Sequence, residues 1–193
     1  MMAIDAVTTA IIERIKASLG NQQGVPPESF KVSLASPDEG DSDATLVMFL
    51  YVVTPDPEQR NVDRVRPFPT ADDRPQRFAQ AVPLELRYLV STGAAAPAGP
   101  AGLARIAGAI SAIENGSPIV VPSAFQDAVW LSLLPLTTDE MSRIWGLFPN
   151  ENCRTSFAFR AAPVWIDPTD PVIGGTPVSD DSLRANSLDK APA

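Results

Sequence analysis

The side chains that most often carry out catalysis are sparse in this sequence. Its 193 residues include no histidine and one cysteine, Cys153. Histidine is the commonest general base and metal ligand near neutral pH, so a Ser-His-Asp or Cys-His arrangement within the chain is excluded. Arg154 would favour the thiolate of the neighbouring Cys153, but no base accompanies the pair. We interpret Cys153 as a thiol at the start of a strand and predict no catalytic residue there.

An acidic run between two predicted strands is the best candidate for a metal site. Its carboxylates are Asp38, Glu39, Asp41 and Asp43. Calcium favours clustered carboxylates, but the calcium-binding loop pattern also needs a glycine at its sixth position and a distant bidentate glutamate. The run does not meet that pattern. We therefore interpret it as a solvated turn and predict no metal.

A segment of small residues joins a predicted strand to a predicted helix. It contains Gly93, Gly99 and Gly102, in the order strand, glycine-containing loop and helix N-terminus that phosphate-binding loops use. The phosphate-binding lysine is missing, and the three glycines do not have the dinucleotide-binding spacing. A flexible connection is the better interpretation, and we predict no cofactor.

Single carboxylates elsewhere leave one enzymatic alternative open. Those near predicted helices and strands are Glu13, Glu85, Glu114 and Glu140. Local spacing forces no two of them together, so it neither supports nor excludes a two-carboxylate hydrolase.

Charge and hydropathy narrow the classes of partner. The chain carries 15 basic and 23 acidic residues, a net charge of −8. Nucleic-acid binding requires basic clusters that neutralise phosphates, so we predict no nucleic-acid partner. No apolar stretch reaches the roughly 18 residues of a membrane span, and the first residues lack the features of a signal peptide. A lone cysteine fits a reducing compartment.

Hydrophobic periodicity predicts one α+β domain, with a mostly antiparallel or mixed sheet and about three helices. Helices are expected over 4–19, ending near Gly20, over 103–113, and from a capping box at Thr137 and Glu140 through 148. Strands are expected at 30–34, 45–53, 84–90, 119–121, 129–134 and 155–161, with 164–166 as a continuation. The strand at 45–53 is almost entirely apolar and should be covered on both faces.

Two segments lie outside these predicted elements. Residues 54–82 form a long connection of mixed charge, and a loop of this length inside a domain is usually functional. Residues 167–193 are rich in proline, serine and aspartate, which is typical of a flexible tail. We therefore predict a domain over 1–166 followed by a tail over 167–193.

Five short segments, in the same order along the chain, carry a family resemblance. They are MAIDAV at 2–7, FLY at 49–51 with Pro57, Arg60 and Asn61 after it, LELRYLVS at 84–91, the run 133–145 and SFAFR at 156–160. Over residues 2–166 the chain resembles a bacterial family of domains encoded in contractile injection gene clusters. That family includes the cap, or tail terminator, of extracellular contractile injection systems of the antifeeding prophage and Photorhabdus virulence cassette type.

The resemblance implies a structural role without catalysis. Such caps are similar to phage tail terminators, in which an α/β subunit forms a hexameric ring on the last layer of tube and sheath. The implied partners are therefore other copies of this chain and the inner tube and sheath proteins. The implied setting is assembly in the bacterial cytoplasm, as part of a particle that stays there or is released.

Three groups of residues are interface candidates under that resemblance. Arg60, Arg64 and Arg66 could carry contacts from the 54–82 connection to a neighbouring subunit or the tube. Trp145 is either a core residue or an interface anchor, since tryptophan is enriched in binding hot spots. The tail could form one short strand around Val172 and Ile173, which would add to a neighbour's sheet edge in the assembled particle.

Two alternatives to a cap stay open at this point. One is a monomeric binding module or assembly chaperone from the same kind of gene cluster. The other is an enzyme whose active site is built from carboxylates.

Overall fold

The structure is a computed structural model and describes residues 3–61, 65–66, 76–77, 81–97, 99–121, 127–167 and 172–173. The helices are α1 (Ala3–Gln23), α2 (Pro100–Glu114) and α3 (Thr138–Trp145), with a 3-10 turn at Pro27–Ser29. The strands are β1 (Val32–Leu34), β2 (Leu46–Pro55), β3 (Val65–Arg66), β4 (Gln76–Arg77), β5 (Val82–Thr92), β6 (Ile119–Val120), β7 (Ala128–Leu134), β8 (Ser156–Ile166) and β9 (Val172–Ile173).

Six of these strands form one mixed sheet in the order β1-β2-β5-β8-β7-β6. β1 runs parallel to β2, and every other neighbouring pair is antiparallel. The remaining described strands, which are two residues each, form a second sheet in the order β3-β4-β9. The predicted α+β architecture, with a mixed sheet and three helices, is confirmed.

The main core lies between the sheet and helices α1 and α2. Val7, Ile11, Ile15 and Leu19 recur at helical spacing on α1 and are at most 2% exposed. They meet a sheet face that is rich in aliphatic side chains. The sheet side of this core includes Leu46, Met48, Leu86, Tyr88, Val90 and Phe159. Burial of this continuous apolar face holds the two helices against the sheet.

One buried polar contact joins α1 to the centre of the sheet. The hydroxyl oxygens of Thr8 and Tyr88 lie 2.7 Å apart. Thr8 also donates to the Ile4 carbonyl oxygen at 2.7 Å, so its single proton is used and Tyr88 must be the donor in the shared bond. Burial raises the pKa of Tyr88 to about 12, so the phenol stays protonated. Its ring stacks on Phe159 with 5.1 Å between ring centroids.

Helix α3 covers part of the opposite face of the sheet. Its predicted capping box is confirmed, because the Thr137 side chain accepts from the Glu140 backbone and the Glu140 side chain accepts from the Thr137 backbone. Leu89, Trp145 and Phe148 form the buried centre of this second cluster. Phe49 and Tyr51 of β2 pack against it, so the predicted covering of β2 on both faces is confirmed for the first half of the strand.

The predicted end of α1 near Gly20 is wrong. The helix continues to Gln23, and Gly20 is buried inside it. A Cβ at Gly20 would lie 2.8 Å from the Val25 carbonyl oxygen, so glycine is needed there because the chain folds back closely. The left-handed residue that follows the helix is Gly24, with φ of 64°.

Two other boundaries differ from the sequence prediction. Helix α3 ends at Trp145 instead of continuing through 148, and Phe148 packs from the turn that follows. The 54–82 connection is also less irregular than predicted, because β2 extends to Pro55 and the connection contains β3 and β4. Besides β3, β4 pairs with β9, which is far away in the sequence, and local periodicity does not detect such a contact.

The Thr8–Tyr88 bond predicts unequal effects of removing its two hydroxyl groups. In Tyr88→Phe, Thr8 keeps its bond to the Ile4 carbonyl, and we expect a loss of at most about 1 kcal/mol. In Thr8→Val, the buried Tyr88 hydroxyl loses its acceptor, and we expect a loss of about 1–3 kcal/mol. Urea unfolding of both single variants and the double variant measures this. A larger loss in Tyr88→Phe than in Thr8→Val would contradict the assigned donor direction.

Candidate interaction surfaces

The acidic run forms an exposed turn that is paired with a lysine. The Lys31 ammonium nitrogen lies 3.2 Å from an Asp41 carboxylate oxygen and 2.6 Å from one of Asp43. Its hydrogen bond lowers the pKa of Asp43. In the part of the chain that the structure describes, no three Asp, Glu, Cys or His side chains come together as a metal site would require. The arrangement is that of a solvated turn with its own counter-ion.

Glu85, a buried carboxylate, is held by two arginines. Glu85 is 6% exposed. One of its oxygens lies 2.6 Å from Arg87 Nε and the other 3.5 Å from Arg160 Nη1. Arg160 Nε also donates to Ser132 Oγ at 3.0 Å. The three charges therefore cross-link neighbouring strands β5, β8 and β7 on the face that carries α3.

The other carboxylates singled out in the sequence also have structural contacts. Glu13 pairs with Lys16 at 2.8 Å. Glu114 accepts a backbone hydrogen bond from Leu133, and Glu140 closes the capping box. Hydrogen bonds from Thr137 lower the pKa of Glu140. Each of the four candidates therefore has at least one described contact within the domain.

The glycine-containing loop before α2 is built around close backbone contacts. Gly93 donates its backbone N–H to the Thr45 carbonyl at 3.0 Å. A Cβ at Gly93 would lie 2.2 Å from the Ala44 carbonyl oxygen, and one at Gly102 would lie 2.5 Å from that of Pro97. Both glycines are thus explained by close packing of the backbone.

The two edges of the main sheet differ in how their backbone groups are used. On β7, beyond its short pairing with β6, the Leu131 N–H donates to Ser117 Oγ at 2.8 Å and the Leu133 N–H to Glu114 Oε1 at 3.0 Å. Side chains therefore seal this edge against a further strand. At the other edge, β1 pairs only with Leu46, Val47 and Met48 of β2. No described strand lies beside residues 49–55 on that side.

An apolar groove lies beside the open edge of β2. It has a volume of about 440 Å³ and is lined mainly by Ile4, Leu34, Met48, Leu50 and Ile166. Leu34 is 53% and Ile166 40% exposed. The groove forms where α1 begins and the sheet continues beyond it.

Exposed apolar side chains also lie toward the far edge of the sheet. Val120 is 60% and Trp130 59% exposed, on β6 and β7. Trp130 faces away from the main core, because its neighbours Val129 and Leu131 are buried in that core. Sequence reasoning considered only Trp145 as an anchor. Alternation along β7 could have pointed to Trp130, since buried Val129 and Leu131 leave Trp130 on the other face.

The arginine candidates occupy the connection after β2. Arg60 is exposed in the turn that follows that strand. Arg66 belongs to β3, and Arg64 lies outside the described residues. The structure does not gather the three into one described cluster.

The other candidates are placed differently from one another. Trp145 is 6% exposed, and its indole Nε1 donates to Ser156 Oγ at 3.1 Å, so it is a core residue of the domain.

Val172 and Ile173 form β9, as the predicted short strand requires. Its partner in this structure is β4 of the same chain, opposite Arg77 and Gln76, instead of a neighbour's sheet. Because β9 belongs to the same chain as β4, its effective concentration at β4 is high, which favours this pairing over pairing with a neighbour's sheet.

These features define a class of protein. Exposed apolar side chains lie at both sides of the sheet, and the ionisable candidates described above have structural contacts. The chain belongs to the family described as the Pvc16 N-terminal domain, whose model matches residues 6–180. The resemblance to the cap and terminator family is thereby confirmed, and the match continues beyond residue 166 into the predicted tail. No curated protein matches the sequence.

Two solved structures have similar folds. One is the cryo-EM structure of the sheath/tube terminator of PVC, an extracellular contractile injection system, in its extended state, with a TM-score of 0.62 and 17% identity. The other is the tube-terminating cap of the anti-feeding prophage, with a TM-score of 0.50 and 16% identity.

The chain is shorter than both of these proteins. The first comparison covers 98% of this chain and 64% of the terminator, and the second covers 78% of this chain and 52% of the cap. At these identities the comparisons show the shared fold. None of the described helices has the length and hydropathy needed to cross a membrane.

Proposed function

We propose that this protein is a terminator subunit that closes the distal end of a contractile injection tail. In this role it binds the last layer of tube and sheath and limits tail length. The observation that supports this most directly is the match of 98% of the chain to a sheath/tube terminator, together with membership of the Pvc16 N-terminal domain family.

The proposed assembly is a closed ring of identical subunits, six in number because it must match a six-fold tail. A ring needs two different surfaces on each subunit, one to bind each neighbour. The two sides of this sheet differ in the required way. One side has an open strand edge and an apolar groove, and the other has a sealed edge and an exposed tryptophan.

A non-enzymatic role is part of the proposal. The described residues include two buried carboxylates, and both have structural contacts. Both oxygens of Glu85 contact arginines, and Asp56 accepts a hydrogen bond from the Glu58 backbone N–H at 2.9 Å. The carboxylate chemistry that the sequence left open therefore has little support.

A monomeric binding module or assembly chaperone is the second candidate. The groove beside the open edge of β2 favours it, because an extended peptide could add to that edge and fill the groove with apolar side chains. Mass measurement separates this alternative from a ring.

Assembly is tested with the purified protein, alone and mixed with tube and sheath. Light scattering at micromolar concentration and electron microscopy are expected to show rings in solution or on tail ends. Assembly only on the tail would still support a cap. A protein that stays monomeric and leaves tail ends unbound would contradict the proposed function.

The arginines of the 54–82 connection are proposed to contact a neighbour or the tube. Replacing Arg60, Arg64 and Arg66 together with glutamate should weaken tail binding by at least about tenfold, since several contacts of about 0.5 kcal/mol each become repulsive. Thermal unfolding should change little because exposed charges contribute little to stability. Arg143→Glu, at a side chain that is 79% exposed on α3, is the control. Equal capping by the triple variant and this control would contradict the prediction.

The tail is proposed to support capping without stabilising the domain. Deleting 168–193 removes β9, which pairs with only two residues of β4, so the melting temperature should be nearly unchanged. Capping of complete tails should fall, seen as overlong or frayed particles in micrographs. Deleting only 181–193, beyond the family match, should leave capping unchanged. Normal tail length and yield with the longer deletion would show that the tail is a passive extension.

A further inference from the structure

Trp130 is the largest side chain that the described surface leaves exposed. It is 59% exposed and projects from β7 on the face opposite the α1 and α2 core. Arg160 and Pro163 lie around the same surface depression. Tryptophan and arginine are enriched among residues that dominate binding energy. A tryptophan held on a sheet, with rigid backbone beneath it, is well suited to insertion into a partner.

The groove beside β2 has the complementary shape and chemistry. Its volume of about 440 Å³ is more than an indole ring needs, and its walls are mostly aliphatic. Leu34 and Ile166 both line the groove and are 53% and 40% exposed. An inserted aromatic ring that covers these side chains and Leu50 would remove apolar surface from water.

The tryptophan and the groove of one subunit cannot meet each other. Trp130 pairs with Ala162 of β8, and the same strand contributes Ile166 to the groove, so the separation between the two features comes from the two faces of the sheet. The groove is on the α1 side, whereas Trp130 is on the α3 side. A contact between them must therefore join two copies head to tail, and repetition of such a contact gives a ring when the rotation closes.

The sealed edge of β7 disfavours strand pairing with a neighbouring subunit and favours contact through side chains. Its Leu131 and Leu133 N–H groups already bond to Ser117 and Glu114, so a continuous sheet from β7 to the next subunit's β2 would have to break both bonds. Side-chain insertion has no such cost. It also uses the largest exposed apolar group on this side of the sheet.

We infer that Trp130 of each subunit inserts into the groove formed by Leu34, Leu50 and Ile166 of the next subunit. This inference rests on the proposed function, because it specifies the contact that builds the proposed ring. The partner it identifies is a second copy of this chain.

Two single variants test the two halves of the contact. Trp130→Ser removes the inserted group, and Leu34→Glu places a charge in the groove at a side chain that is 53% exposed. Each should weaken self-association by at least about 30-fold, as expected for a hot spot, without lowering the melting temperature. Leu147→Ser is the matched control, because Leu147 is 65% exposed and lines neither surface.

Mixing the two variants tests the head-to-tail arrangement. Trp130→Ser keeps an intact groove, and Leu34→Glu keeps an intact tryptophan. An equimolar mixture should form one productive contact per pair, giving heterodimers that do not grow into rings. Light scattering distinguishes heterodimers from the monomers that each variant should form by itself.

Photo-crosslinking locates the contact directly in wild-type-like rings. A benzophenone amino acid at position 130 keeps an aromatic group there, and it should crosslink to the tryptic peptide 32–60, which contains Leu34 and Leu50. The peptide 161–184, which contains Ile166, is the other expected target, and crosslinks to neither of these two peptides would overturn the inference.

The outcomes also separate this inference from the proposed function. If both variants form rings and cap tails like wild type, Trp130 insertion is wrong and the cap proposal stands. If the wild-type protein neither forms rings nor binds tail ends, both proposals fail.

Discussion

The fold depends on the need to cover both faces of strand β5, which lies in the middle of the main sheet. Its Leu86, Tyr88 and Val90 side chains face α1 and α2, and Leu89 faces α3. The helices cover the central strands well, but not the whole area of the sheet. The groove beside β2 and the exposed Trp130 lie where that cover ends. The two candidate contact surfaces are therefore consequences of how three helices are distributed over six strands.

The charged residues support the same architecture. Glu85 lies between Arg87 and Arg160, and this group links three strands on the part of the face that α3 leaves open. The Glu85 side chain is 8% exposed, whereas the two arginine side chains are 42% and 43% exposed, so the cations reach the buried carboxylate from the solvent side. Acid and base groups are thus used to hold strands in register. What remains for binding partners is shape, apolar surface and the charged connection after β2.

Hydrophobic periodicity and capping residues in the sequence were enough to predict the helices, because these signals act between residues that are close in the chain. The stripe from Val7 to Leu19 and the capping box at Thr137 gave α1 and α3, because helical periodicity and capping act within a few residues. Alternation along β7 indicates which face of the sheet Trp130 is on, but it does not show whether a helix covers that face. Trp145 and Trp130 both stand among apolar neighbours, and only the position of α3 on the sheet buries one and leaves the other exposed. The β4–β9 pairing was missed for the same reason, since it joins residues far apart in the chain.

The side-chain seal on β7 limits how two copies of this protein can pair through their strand edges. Unpaired strand edges recruit one another, and intermolecular strand pairing of this kind leads to aggregation. Ser117 and Glu114 accept hydrogen bonds from the Leu131 and Leu133 amides, so two copies cannot lengthen their sheets at this edge unless both bonds break. The seal therefore confines edge-to-edge pairing to other parts of the sheet, such as residues 49–55 of β2, which have no described strand beside them on one side.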